Sequence, residues 1–319
     1  MYFGLSEDQI FFQDNVKKFL EDNAPLDAVK KITEGADLST KDELHQGLIN
    51  LGINNILIPE ENGGLGLDLL FASAVSQSLG EGIATLPFVG PYVIAPIAIK
   101  YGASDSQKEK LFNEMSQNLI NCGVGFSEYF GSRDSSDLSI SNNKITGRTL
   151  FVLDIDFASH VMLCDKKGQI GLVSLESKGI EIIDLTTVDK TRTYKEMIFK
   201  DTPIEILDKT KTSIEAAEMA LSAGRIVAAA DSLGASQAMI NKAVEYSKER
   251  KQFNRVIGSF QAVKHMCAEM TAELEPCYSL VWHAAHSFDD SHEDSKLMAC
   301  LAKSHTSEVS KMVSKKATE

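Results

Sequence analysis

The sequence has no C-x-x-C pair: its five cysteines, Cys122, Cys164, Cys267, Cys277 and Cys300, are odd in number and far apart. Such spacing suits neither a tetrahedral zinc site nor a disulfide framework, and a reducing compartment is the simpler setting. No uninterrupted apolar run reaches membrane-spanning length, and Met1–Asp8 lacks the basic region and apolar core of a signal peptide. The expectation is a cytoplasmic protein without membrane insertion. Positive charge is also scarce, with 32 Lys and Arg against 45 Asp and Glu and a formal net charge of -13. That balance repels nucleic acid and anionic membrane surfaces in general, while leaving room for a local basic cleft that takes a phosphorylated cofactor.

What is present is an ordinary globular composition, 43% hydrophobic and 24% charged, over 319 residues. That length supports roughly two or three packed domains and excludes a peptide-sized binding module. From Ser6 the pattern is helical, with Ser6 as a cap, Phe12, Val16, Phe19 and Leu20 at helical spacing, and Leu44, Leu48 and Leu51 on one face of a later segment. A breaker, Pro59-Glu60-Glu61-Asn62-Gly63-Gly64-Leu65-Gly66, interrupts the helices, and it fits neither the dinucleotide fingerprint nor the phosphate loop. It reads as a turn near a substrate entrance.

After Cys122 the period changes. Runs at Lys144–Asp154, Phe157–Cys164, Ile170–Leu175, Gly179–Leu185 and Glu196–Lys200 are rich in β-branched residues, with turns at Asn142-Asn143 and Lys166-Lys167-Gly168. From Ser213 helix returns in three long segments, to about Arg250, from Gln261 to Phe288 and from Ser295 onward, with a kink expected at Pro276. The expected class is α+β: an N-terminal helical domain (1–121), a middle antiparallel β-domain (122–208) and an incomplete C-terminal antiparallel helix bundle (209–319).

The motifs narrow this architecture. Glu249-Arg250-Lys251-Gln252-Phe253-Asn254, followed by Ile257-Gly258-Ser259-Phe260-Gln261 and then Ala268-Glu269-Met270, resembles the acyl-CoA dehydrogenase signature in which R-x-x-F precedes an F-Q-x-x-x-x-x-x-A-[DE]-M helix start. The glycine-rich breaker stands where that family has P-E-x-x-G-G-x-G. Gly125-Phe126-Ser127-Glu128 stands at its T-E-P position, and Ile145-Thr146-Gly147-Arg148-Thr149-Leu150-Phe151-Val152 resembles its I-x-G-x-K-x-[WF]-[IV] strand. Several matches in order, spanning essentially the whole chain, identify a family where one alone does not.

The resemblance implies α,β-desaturation of an acyl-CoA thioester. A carboxylate takes the α-proton, hydrogen-bond donors stabilise the enolate-like transition state, and FAD accepts the β-hydride. It implies a homodimer or tetramer, with a heteromer as the alternative, and electron-transfer flavoprotein or a similar acceptor. Arg250 and Phe253 stand where the family's R-x-x-F segment reaches the FAD of a neighbouring subunit, and Gln261 is the accompanying amide. An arginine suits a diphosphate because its donor fork is rigid and always charged. Phe126, Ser127 and Phe151 are the candidates for the ring environment, and Arg225 for active-site support. Lys248, Arg250, Lys251 and Arg255 form a basic cluster toward cofactor phosphates.

One family position for the catalytic base falls on Gly224, which has no side chain, and the other lies past Glu319. The expectation is therefore a chain truncated at its C-terminus, or one completed by a partner. Glu218 is no substitute, since six residues turn a helix through about 600° and leave it roughly 120° out of phase. Two other readings stay open: a non-catalytic partner subunit of a heteromeric dehydrogenase, and a flavin oxidase or monooxygenase on the same fold. His283 and His286 share a helix face without a carboxylate pattern, and the acidic loop Asp289–Asp294 reads as a solvated connection, so no metal is expected.

Overall fold

The structure, a computed structural model, describes residues 4–35, 38–131 and 137–319, so the first three residues of the Met1–Asp8 stretch lie outside it. Helices α1 (Glu7–Asn23), α2 (Leu26–Thr33), α3 (Leu38–Asn50), α4 (Leu69–Glu81), α5 (Ala95–Gly102) and α6 (Asp105–Ser116) come first. Strands β1 (Cys122–Gly125), β2 (Ser139–Ser141), β3 (Lys144–Leu153), β4 (His160–Cys164), β5 (Ile170–Ser174), β6 (Ile180–Asp184), β7 (Tyr194–Pro203) and β8 (Glu205–Ile206) follow. Then come α7 (Glu215–Glu249), a hairpin of β9 (Lys251–Gln252) and β10 (Arg255–Val256), α8 (Gln261–Asp289) and α9 (Ser295–Thr318). The α+β class follows directly.

Ser6 caps α1 as its sequence requires. Its hydroxyl accepts from the Gln9 amide at 3.3 Å while Gln9 Oε1 accepts from the Ser6 amide at 2.8 Å, which satisfies two of the donors a helix start leaves open. Val16 and Leu20 are buried, as are Leu44 and Leu48 on α3. The helix α8 continues through Pro276.

The sheet runs β6-β7-β3-β1-β4-β5-β8, with β2 paired to β3. Its pairings are antiparallel except that β1 lies parallel to β4. Asn142 and Asn143 both take left-handed angles, φ 51° and 57°, as the two-residue hairpin between β2 and β3 demands. Strand β1 carries two glycines in four residues, so its propensity conceals the strand, yet all four positions are buried at the sheet's middle. Ile145, Val152, Val161, Leu163, Val173, Met197 and Phe199 form the core beneath it. Each large side chain there contributes about 1.5–3 kcal/mol relative to exposure.

Packing groups the chain differently from its order. One compact unit comprises residues 4–27, Leu69–Ala84 and Arg225–Glu319; the other comprises Ala28–Asp68 and Thr85–Gly224, less the residues not described. In the first, α4 and α7 touch backbone to backbone. A Cβ at Gly80 would lie 2.0 Å from the Asp231 carbonyl oxygen, and one at Gly234 would lie 1.8 Å from that of Gln77.

The acidic loop is not merely solvated. The Asp289 carboxylate accepts from the amides of Leu69 at 3.0 and 3.1 Å and of Leu70 at 3.2 Å, and so closes the start of α4. A carboxylate at a helix N-terminus satisfies open donors and opposes the helix dipole, which sequence spacing alone does not reveal.

Candidate functional site

In the unit that contains the sheet, β3 carries the first group of candidates. Its inward positions are odd-numbered up to Thr149, but Leu150 and Val152 are also buried, so the phase changes within the strand. The register with β7 shifts between Thr149 and Val152, and Phe151 takes a left-handed φ of 54°. A bulge that adds one residue sends the next side chain to the opposite face. Phe151 is consequently 44% exposed, with its ring edge-on to Tyr194 at a centroid separation of 6.5 Å. A left-handed phenylalanine costs on the order of 1–3 kcal/mol, which strands rarely tolerate without purpose.

Phe126 and Ser127 follow β1 directly. The Phe126 ring is buried, and the Ser127 hydroxyl donates to the Leu150 carbonyl at 2.5 Å. Both side chains are therefore enclosed, while the Phe151 ring is exposed. Beside them Glu128 is buried, and its Oε2 has no hydrogen-bond partner among the described residues.

Gly224 closes this unit on α7. A Cβ built there would meet Ile94 Cδ1 at 2.9 Å and Cγ1 at 3.0 Å, with Val89 Cγ1 at 3.9 Å. Ile94 ends the π-helical turn Gly90–Ile94, an uncommon geometry often found at functional sites. The space of a catalytic carboxylate at this position is filled by hydrocarbon.

The same turn joins a polar cluster. The Gly90 amide donates to Asp154 Oδ2 at 2.9 Å, and burial pushes the Asp154 carboxyl up, against the attraction of Arg192. Tyr92 Oη lies 2.9 Å from Nε2 of His45, whose ring stacks on Phe157 at 4.0 Å. Burial lowers His45 to about 4, with Lys41 adding to the effect and Asp42 opposing it.

The glycine-rich breaker is a short helical turn, Glu60–Asn62, ended by Gly63 at φ 82°. A Cβ at Gly64 would lie 2.0 Å from the Ile58 carbonyl oxygen, so close approach explains the second glycine. The loop borders a surface cavity with Lys100, Asp105 and Lys108.

In the other unit, α7 ends at Glu249 and the chain turns through the β9–β10 hairpin. Its central residues, Phe253 and Asn254, have φ 51° and 63°, the pattern of a two-residue turn whose twist matches the strands. Phe253 stands at the tip, 87% exposed. Its ring lies edge-on to Phe260 at 6.1 Å, and the Arg255 guanidinium sits 3.9 Å over the Phe260 ring. Arg250 and Gln261 are exposed at the ends of α7 and α8, as are Lys248, Lys251 and Arg255. Arg225 is half-buried on α7.

Aromatic, guanidinium and amide side chains are of the chemistry that suits a flavin dinucleotide. One unit presents the exposed Phe151 ring; the other presents exposed cationic and amide side chains beside an aromatic pair. Sequence spacing missed Tyr194, since only the pairing of β3 with β7 brings it to Phe151, and it left Phe260 without a role although it begins the F-Q motif. Among the described residues no group of three or more His, Cys, Asp and Glu is placed to hold a metal, and no helix is long and apolar enough to cross a membrane.

Comparison with known proteins bears on the family and the fold. The N-terminal domain model of acyl-CoA dehydrogenase matches residues 6–118, and the C-terminal domain model matches residues 214–319. The caffeyl-CoA reductase-Etf complex subunit CarC of Acetobacterium woodii is 24% identical over 100% of this chain and 88% of its own length. The short/branched chain specific acyl-CoA dehydrogenase of Bos taurus mitochondria is 25% identical over 98% of this chain and 76% of its own. Butyryl-CoA dehydrogenase of Megasphaera elsdenii shares the fold with a TM-score of 0.85 at 22% identity, covering 99% of this chain and 88% of that one. With both ends matched in order and one fold running through them, the chain belongs to the acyl-CoA dehydrogenase family, oxidoreductases that act on CH–CH groups.

Proposed function

We propose that the chain is an FAD-binding subunit of acyl-CoA dehydrogenase type that acts on an acyl-CoA thioester. The observation that carries this reading is the pair of exposed aromatic residues, Phe151 and Phe253, each held at a strained left-handed backbone angle. Strain of that kind persists where the surrounding structure enforces it, and it clusters at ligand sites. The flavin, when bound, supplies the acceptor for a hydride.

The chain's residues bind and orient. Phe151 packs against the ring system, the main chain of Phe126 and Ser127 meets its polar edge, and Arg250 with Gln261 holds the diphosphate. The hairpin residues serve the flavin of a second copy, which makes a homodimer or tetramer the working form. On this reading the segment 122–208 carries the ring and 209–319 the diphosphate. The Acetobacterium relative is named for its complex with Etf, which supports electron-transfer flavoprotein as the acceptor.

The packing of Ile94 into the Gly224 position favours a second reading, a subunit that binds flavin but draws its base from a different chain of a heteromer. Titrating the purified chain with FAD and then adding acyl-CoA thioesters without oxygen separates the two. Bound flavin whose absorbance bleaches supports the first reading. Bound flavin that stays oxidised until a partner is added supports the second, and a chain that takes up no FAD overturns both.

A further inference from the structure

The strand that carries Phe151 ends at a second left-handed residue. Asp154 directly follows β3 with φ 57°, three positions after Phe151 with φ 54°. Aspartate tolerates that conformation better than most residues, yet it still needs surroundings that enforce it. The enforcing contact lies on the π-helical turn, where Asp154 Oδ2 accepts from the Gly90 amide at 2.9 Å. The first amides of a helical segment have no carbonyl partner within it, so a carboxylate placed there satisfies an open donor. Glycine is required on the other side of the contact. A Cβ at Gly90 would stand 2.8 Å from Asp154 Oδ2 and 3.4 Å from Val124 Cγ2, so a larger residue would push the turn away from both.

The contact joins segments that the proposed function uses. Val124 of β1 pairs with Leu153 of β3, the residue before Asp154, and Gly90 rests against that junction. From it β1 runs on to Phe126 and Ser127, while β3 arrives from Leu150 and Phe151. At its far end the same turn presents Ile94 to Gly224. Arg192, the cation that attracts the Asp154 carboxylate, donates from Nη1 to the Leu86 carbonyl at 3.4 Å and so ties the approach to the turn into the same group.

We propose that Asp154 is a positioning residue: its bond to the Gly90 amide anchors the end of β3 to the π-helical turn, and thereby fixes both the outward ring of Phe151 and the placement of Ile94 against Gly224. The role for flavin rests on the proposed function; the anchor itself does not.

Hydrogen exchange followed by mass spectrometry on the full chain without ligand tests the anchor. Peptides covering Gly90–Ile94 should exchange about tenfold faster or more in Asp154→Ala than in the wild type, while those of β4 and β5 keep their rates and show that the sheet is intact. Asp154→Asn keeps an accepting oxygen and should stay within about threefold of the wild type. FAD affinity should follow the same order, within about threefold for Asp154→Asn and down about tenfold or more for Asp154→Ala. Gly90→Ala breaks the contact from the opposite side, so it should weaken FAD binding alone yet add less than about twofold to the effect of Asp154→Ala. Unchanged exchange of the turn in Asp154→Ala overturns the anchor, and so does an Asp154→Asn variant as impaired as Asp154→Ala. Altered exchange with unaltered FAD affinity, or fully multiplicative effects of Gly90→Ala and Asp154→Ala, overturns the positioning role. A wild type that binds no FAD brings down the parent reading and the role for flavin together, while exchange still decides the anchor.

Discussion

At the scale of single residues, the informative positions are those where a side chain contradicts its local pattern. Phe253 occupies a hairpin position that favours glycine or asparagine, and it exposes a ring that would normally be buried. Phe253→Gly should therefore leave stability unchanged or raise it by up to about 1 kcal/mol in urea unfolding, because strain is relieved. The same change should weaken FAD binding about tenfold. A variant that loses stability and keeps affinity would assign the ring to folding rather than to the ligand. His45 offers a pH test. The unfolded imidazole takes a proton below the usual 6.5, whereas the buried ring takes one only near 4. Its contribution to stability is thus complete above pH 6.5 and is lost as pH falls toward 4, by on the order of 3 kcal/mol. His45→Gln should flatten that slope in unfolding midpoints measured between pH 4 and 7.

At the scale of elements, the decisive feature is how closely one segment approaches another. Gly224 lies where Ile94 of the π-helical turn fills the space a side chain needs. Gly224→Glu should destabilise the chain by about 1–3 kcal/mol through overpacking. Combined with Ile94→Ala it should cost at least about 1 kcal/mol less than the two single changes added together. Strict additivity in urea unfolding would show that Ile94 is not the obstruction. Much at this scale was legible from sequence: the cap of Ser6, the hairpin at Asn142-Asn143 and the extents of α7, α8 and α9 all follow from local chemistry. Strand β1 was not, because its glycines have little intrinsic preference and its burial comes from neighbours on both sides. The capping of α4 by Asp289 was equally hidden, since 220 residues separate donor and acceptor.

At the scale of the whole molecule, an acidic chain of net charge -13 gathers Lys248, Arg250, Lys251 and Arg255 around one exposed hairpin. If those cations serve the flavin of a second copy, FAD binding and self-association are linked, since a ligand that binds only the assembled form drives assembly by mass action. Apparent FAD affinity should then rise with protein concentration, and FAD should raise the sedimentation coefficient of dilute samples. An affinity independent of concentration in a chain that stays monomeric would confine the site to one copy. The sequence by itself determined the family, the order of helices, strands and helices, and the residue types of each motif, because all of these are written in local spacing and identity. Only the tertiary structure decided that Phe151 faces outward, that the Ser127 hydroxyl is engaged with Leu150, and that Ile94 closes the Gly224 position. Those outcomes depend on register shifts and close approaches between segments distant in sequence, and a one-residue shift in register reverses which side chains a strand buries.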